Sequence, residues 1–428
     1  MKKTREMVAI VGGGSVGASY FYQLVSQAIS RGQCNDFEVL LFEPQDTSGP
    51  GYAYQTDSDC NLLNTRADTM SAVANDKEHF LRWLLTHEKD WRSEYPDVLV
   101  EAGEFLPRGL FGRYLQSIHQ EAMTAAAING IPVTTVRDEV VDLLFLGSEQ
   151  VCLDTRRSGA YIANRVILCI GNLPSTNFRE FNGQPGFFNS PYPCRRLTDE
   201  IPRDEAVCVL GANLSAIDAV LSLAQAGHRG KIVCVSRNGR LPSVRGACNR
   251  QHVLRNITKS QIDALAAQHG GHLTLTAVGD LLRKEIEEAT GTRIDLDSIL
   301  NNKTGTYDYL STEIQLSGQE GRLWQSVIYA TNGIIDYVWH RLSPNDKRRF
   351  HECFRSLWMS YRVSFPLTNA VKVHELLRTD QLAIFGGFCG VEFDAKNELF
   401  QVRLHDKRTG FRSLVESRYI INATSYSN

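Results

Sequence analysis

The chain has 428 residues, with 46 basic and 48 acidic side chains and a formal net charge of −2, too long for one ordinary core and suited to two or three domains. Near-neutral charge removes the bulk electrostatic drive towards nucleic acid or an anionic membrane, and no apolar run approaches the ~20 residues that span a bilayer. The ten cysteines include no C-x-x-C and the eleven histidines are scattered, which speaks against a disulfide reductase and against a zinc or other metal site.

Residues 7–11 form a short apolar run, expected to be a strand, which breaks into Gly12-Gly13-Gly14-Ser15-Val16-Gly17 before a helical stretch over 18–28. A strand that ends in glycines and turns into a helix suits a dinucleotide pyrophosphate. Gly12 permits the tight turn, Gly14 lets the backbone approach the phosphates, and Gly17 lets helix and strand pack closely. The first-turn amides, Ser15 among them, then face the anion with the helix dipole behind them. Lys2 and Lys3 ahead of the run imitate a signal peptide, but its apolar part is short and claimed by the strand, so a cytoplasmic chain with structural thiols is expected. The next strand, 37–42, ends at Glu43, where a carboxylate accepts the hydroxyls of an adenosine ribose; the usual gap is about 20 residues, and residues 31–36 absorb the excess. The bland alternative is a glycine turn in an unrelated α/β fold.

Strand-rich stretches at 140–153 and 161–170 close at Gly171-Asn172, and residues 173–203, rich in Pro, Gly and Asn, read as a linker. The opening pattern then returns. A strand at 206–210 leads through Gly211-Ala212-Asn213-Leu214-Ser215-Ala216 into a helix over 217–226, and a strand at 231–235 ends at Ser236-Arg237. Asn213 stands where the second glycine would be and either obstructs the pyrophosphate or supplies an amide contact. Arg237 replaces the acid, with Arg240 and Arg245 following; a guanidinium there suits the extra phosphate of NADPH, unless it is only a solvated strand-end charge. Residues 251–365 read as a mostly helical insertion, a place for substrate selection, and a second strand-rich section (382–391, 399–404, 419–421) closes at Asn422-Ala423-Thr424-Ser425. The expected fold is α/β: two Rossmann-like, doubly wound, three-layer modules with β-meanders, an FAD-binding module over 1–190 and an NAD(P)-binding module over 200–428.

The segments VAIVGGGSVGASY, GYAYQTDSDCNLLNTRADTMS, FLPRGLFGRYL, VILCIGN and VLGANLSAIDAVLSLAQAGHRGKIVCVSRNGRLP resemble the bacterial FAD/NAD(P)-binding oxidoreductases, relatives of the class B flavin monooxygenases and N-hydroxylases. The resemblance covers most of residues 7–245 in order and continues more loosely through WHRLSPNDKRRF. It implies a flavin over residues 49–71, where Asn64 and Arg66 are candidate contacts and an ordinary loop is the alternative, and it makes Arg113 a candidate contact to the pyrophosphate. It also implies FAD and NADPH as cofactors and a small-molecule substrate oxidised by a monooxygenase. The alternatives are an FAD oxidase or dehydrogenase with a degenerate second module, or a non-catalytic nucleotide-binding subunit. The hydride step needs no side-chain acid or base, so no catalytic residue is named. His79 and His87 read as surface residues. Ser425 takes the place of the usual closing glycine and the chain ends at Asn428, short of the family's last segment, so a partner chain completing the flavin pocket is a further expectation.

Overall fold

The computed structural model describes residues 5–173, 175–246, 252–294, 304–318, 322–405, 410 and 412–424. Its contacts define two compact units, one formed by residues up to 174 and one over 175–425.

In the first unit, β1 (Glu6–Val11), α1 (Ser15–Arg31) and β2 (Phe37–Phe42) are followed by α2 (His79–Thr86), α3 (Glu88–Trp91), α4 (Arg108–Ile128) and β3 (Val133–Val136). The antiparallel strands β4 (Val140–Leu146), β5 (Gln150–Thr155) and β6 (Ala160–Ala163) then lead to β7 (Arg165–Leu168). The parallel sheet runs β3-β2-β1-β7, with β4-β5-β6 as a separate meander. Strands covered on both faces read as continuous apolar runs, and alternate residues sort to the two layers. Val8, Ile10, Val39 and Leu41 pack with Phe21 and Val25 of α1 and Ala122 and Ala126 of α4. Ala9, Val11, Leu40 and Phe42 face Leu153 and Ala163 of the meander. Helix α1 ends at Gly32, in the left-handed region at φ 66°, whose N–H returns to the last helical carbonyls. An aromatic cluster of Phe80, Trp83, Trp91, Phe111 and Tyr114 joins α2 and α3 to α4.

In the second unit, β8 (Phe187–Phe188), α5 (Cys194–Glu200), β9 (Val207–Leu210), α6 (Leu214–Gln225), β10 (Ile232–Val235) and β11 (Ser243–Val244) precede a run of helices. These are α7 (Lys259–Gln268), α8 (Leu275–Thr290), α9 (Thr306–Ser317), α10 (Leu323–Ala330), α11 (Ile335–Arg341), α12 (Pro344–Arg349) and α13 (Arg355–Arg362). The chain then forms β12 (Ser364–Phe365), α14 (Leu367–Arg378), β13 (Leu382–Phe385), β14 (Phe388–Asp394), β15 (Leu399–His405), β16 (Arg412–Ser417) and β17 (Tyr419–Asn422). Its parallel sheet runs β13-β10-β9-β17-β8, and Phe400, Val402 and Leu404 of the β14-β15-β16 meander pack on Cys208, Leu210, Val235 and Ile420. Both halves are therefore layered as Rossmann-like modules.

Two segments sit differently from the reading above. Residues 175–190, placed with the first module, pack in the second unit because Phe187 and Phe188 pair with Ile420 and Ile421 of β17. The stretch 173–203 is not a bare linker: it carries β8 and α5, whose Cys194 and Leu197 are buried. The described cysteines are free thiols; burial pushes the Cys208 thiol up to about 12, which leaves it unreactive at neutral pH.

Within the helical run, Glu285 of α8 is 1% exposed. It accepts from His252 Nε2 (2.6 Å) and from the N–H groups of Arg255 (3.0 Å) and Asn256 (2.6 Å). Burial raises its pKa, but these donors outweigh burial and hold it below the usual carboxylate range. Its stabilisation is thus present above the unfolded-state pKa and lost as pH falls through the depressed folded value. Glu285→Gln should lower stability by about 1–3 kcal/mol at pH 7. Urea denaturation should show the gap between variant and wild type closing between about pH 5 and pH 3; a constant gap would contradict the assignment.

Candidate functional site

Each unit presents a glycine turn at the carboxyl end of a central parallel strand, leading into a helix. In the first, Gly12 has φ 101° and donates its N–H to Phe42 O at 2.9 Å. A Cβ on Gly12 would lie 2.3 Å from the carbonyl oxygen of Cys169, and one on Gly17 would lie 1.9 Å from Gly12 O. Both positions exclude any side chain. Gly14, the residue before α1, offers no side-chain cap, so the N–H groups of Ser15, Val16 and Gly17 have no acceptor among the described residues and project as an anion-binding helix start.

The segment after β2 crosses this turn. The Gly49 N–H donates to Gly13 O at 2.7 Å, and a Cβ on Gly14 would meet Gly51 Cα at 3.2 Å. From the other side α4 receives the same strap, since a Cβ on Gly112 would stand 1.9 Å from Tyr54 O. Glu43 is buried; its Oε2 accepts the Gly13 N–H (2.9 Å) and its Oε1 the Gln45 N–H (3.0 Å). Each oxygen keeps a lone pair for a ribose hydroxyl.

The remaining expected contacts are placed as follows. Gly171 follows β7, exposed at φ 69°, and Asn64 is half-buried. The Arg66 guanidinium is engaged by Asp68. Arg113 is held by Glu94, with Nε at 3.0 Å from Oε2, and by Gln116 at 3.2 Å. Its charge is thereby matched, and it lines a groove on α4 that does not include the glycine turn.

That groove, about 500 Å³, runs between Asp46, Ser48, Trp83, Gln116, His119 and Arg137, beginning just past Glu43. Ser48 Oγ, Trp83 Nε1 and His119 Nδ1 are buried without a partner among the described residues. Burial pushes His119 down to about 4, aided by the Arg137 charge, so its ring is neutral at pH 7. Of these only Arg113 is marked in the sequence, where nothing identifies β3, whose end supplies Thr135 and Arg137. His79 and His87 are half-buried, not surface residues: His79 Nδ1 lies 2.9 Å from Tyr114 Oη, and His87 stacks on Trp83.

The second turn repeats the first. Gly211 has φ 130°, donates to Val235 O at 2.7 Å, and would bring a Cβ to 2.8 Å from Ala423 O. Ser215 lies half-buried in the first turn of α6, and Asn213 is exposed and does not cap the helix with its side chain. Ala216 stands where the first copy has Gly17. Arg237, exposed beyond β10, has no side-chain partner among the described residues. Ser425, expected to close this module, lies outside the described residues. Among the described residues no His, Cys, Asp or Glu cluster is arranged to hold a metal, and no helix is long and apolar enough to cross a membrane.

Residues 9–173 match the sequence model of the FAD-NAD(P)-binding family. No curated protein matches the sequence. Among solved structures, L-lysine 6-monooxygenase from Pseudomonas syringae is similar at 15% identity and TM-score 0.55, covering 99% of this chain and 82% of its own. Ornithine hydroxylase from Pseudomonas aeruginosa, in its reduced form, is similar at 12% identity and TM-score 0.55, covering 99% and 83%. The ornithine N-hydroxylase of Kutzneria sp. 744, with reduced FAD, NADP+ and L-ornithine, is similar at 12% identity and TM-score 0.51, covering 99% and 81%. The fold is thus one that these three enzymes share, and residues 9–173 are similar to an FAD-NAD(P)-binding domain.

Gly14→Leu should leave a folded chain, judged by circular dichroism, that loses bound flavin on gel filtration. Retention at the wild-type ratio would remove the first turn from the flavin site.

Proposed function

We propose that this chain is a flavin-dependent oxidoreductase that consumes NADPH, holding FAD at the first turn and the nicotinamide coenzyme at the second, and that it oxygenates a small molecule. One observation carries the reading: two turns of related build are followed by opposite charges, the Glu43 carboxylate in the first and, one position further along, the Arg237 guanidinium, unpaired among the described residues, in the second. A carboxylate suits an unmodified ribose and a guanidinium suits a 2′-phosphate. The free amides of Ser15, Val16 and Gly17 fit a pyrophosphate, and the neutral donors and acceptors past Glu43 fit the adenine end. Bound FAD supplies the hydride-accepting and oxygen-activating chemistry. The chain's own residues bind and orient: Gly12 lets the Cys169 carbonyl close on the turn, Gly14 lets the residue 49–51 strap lie against it, the first-turn amides of α1 face the phosphates, and Arg237 selects the phosphorylated coenzyme.

Asn213 and Ala216 favour a second reading, an FAD oxidase or dehydrogenase whose second module no longer takes NADPH. A cytoplasmic location in keeping with the free thiols belongs to the proposal as well.

The purified chain should carry a flavin absorbance spectrum that bleaches when NADPH is added anaerobically. A spectrum that NADPH leaves unchanged selects the oxidase reading, and a protein colourless after FAD addition removes both. Arg237→Ala should weaken NADPH about tenfold, on the order of 1.4 kcal/mol, with NADH little affected; an unchanged coenzyme preference contradicts the role of Arg237.

A further inference from the structure

Two arginines flanking the short β11–β12 ribbon are treated differently by their surroundings. Arg322, ahead of α10, is 5% exposed. Its Nη1 and Nη2 meet the Glu313 carboxylate of α9 at 2.8 and 2.7 Å, and Nη1 also donates to Val244 O at 2.7 Å. A buried guanidinium matched by a two-pronged carboxylate is the expected arrangement. Arg362, in the last turn of α13, is half-buried and has no ion pair among the described residues. Its Nη2 donates to Asn332 Oδ1, so a neutral amide stands where a carboxylate would be expected. Burial draws the Arg362 pKa below the usual arginine range, with Tyr329 opposing that shift.

Further groups gather at the same place. Tyr329 Oη lies 2.8 Å from Ser364 Oγ. The Arg245 guanidinium sits 4.2 Å above the Tyr329 ring, and the Arg245 N–H donates to Phe365 O at 3.0 Å. The cluster therefore combines two guanidinium groups, a phenol, a serine hydroxyl and an exposed amide, all on the second unit. Leaving a half-buried cation without an anion is costly, and the helix C-terminus beneath Arg362 offsets only part of that cost.

We infer that Arg362, with Asn332 and Tyr329, forms a seat for the carboxylate of a small anionic ligand. The planar guanidinium fork matches a carboxylate in two parallel hydrogen bonds, and the Asn332 amide and the Tyr329 hydroxyl, itself held by buried Ser364, supply the further polar contacts. That this carboxylate belongs to the substrate rests on the flavin reaction proposed above; the binding itself does not.

Saturation-transfer NMR on the full chain with acetate, butyrate, succinate and glutarate, each beside its amide, tests the seat without flavin or NADPH. At least one carboxylate should bind at millimolar concentration or tighter, and its amide should not. Asn332→Asp, which keeps the shape and supplies the missing anion, should abolish that binding while raising the midpoint of thermal unfolding of the free chain. Arg362→Lys should weaken binding at least tenfold. The assignment is overturned if no carboxylate binds, if the amides bind equally, if Asn332→Asp binds like wild type, if inorganic phosphate is preferred, or if NADP+ displaces the carboxylate. A colourless protein that binds carboxylate would sink only the flavin reading, and a flavoprotein that binds none would sink only this one.

Discussion

The constraint on which both modules depend is the approach of a closing strand to the first glycine of each turn. The Cys169 carbonyl occupies the space in which any side chain at position 12 would stand, and Ala423 does the same at Gly211. The strand before each turn must therefore end without a Cβ and bend away from its neighbour, which starts the following helix at the sheet's edge with its first amides outward. Layering, turn and anion-binding helix start are consequences of that one crossing, made twice in the chain.

Much of this was legible in residues 7–43 and 206–237. Strands buried on both faces are unbroken apolar runs, and glycines at a strand end have few other uses. β3 was not legible, because Val133–Val136 reads VTTV, a four-residue edge strand in which only Val136 is buried. Without it Arg137 had no address, and the groove past Glu43 stayed invisible. The 175–190 assignment failed for a related reason: a two-residue strand such as Phe187–Phe188 carries no periodicity, and only pairing with β17 shows which sheet owns it.

Charge was the least transferable signal. Arg66 and Arg113 looked available as residue types, but each is neutralised by an acid that sequence distance hid or understated, Asp68 two residues away and Glu94 nineteen. Arg237 and Arg362 look no different in the sequence, yet neither meets a carboxylate among the described residues. Whether a guanidinium is free to recognise a ligand depends on what the tertiary fold has already set against it.

The two turns also differ in how readily a ligand leaves them. At the first, the chain past β2 lies across Gly14 and is pinned between the turn and α4, which narrows the way in and out of that turn. At the second, Asn213 faces solvent with no described segment over it, and a ligand exchanges at the rate its own contacts break. On the proposed reading, the covered turn suits a resident group and the open one a coenzyme renewed at each turnover, a division set by residence time rather than by affinity.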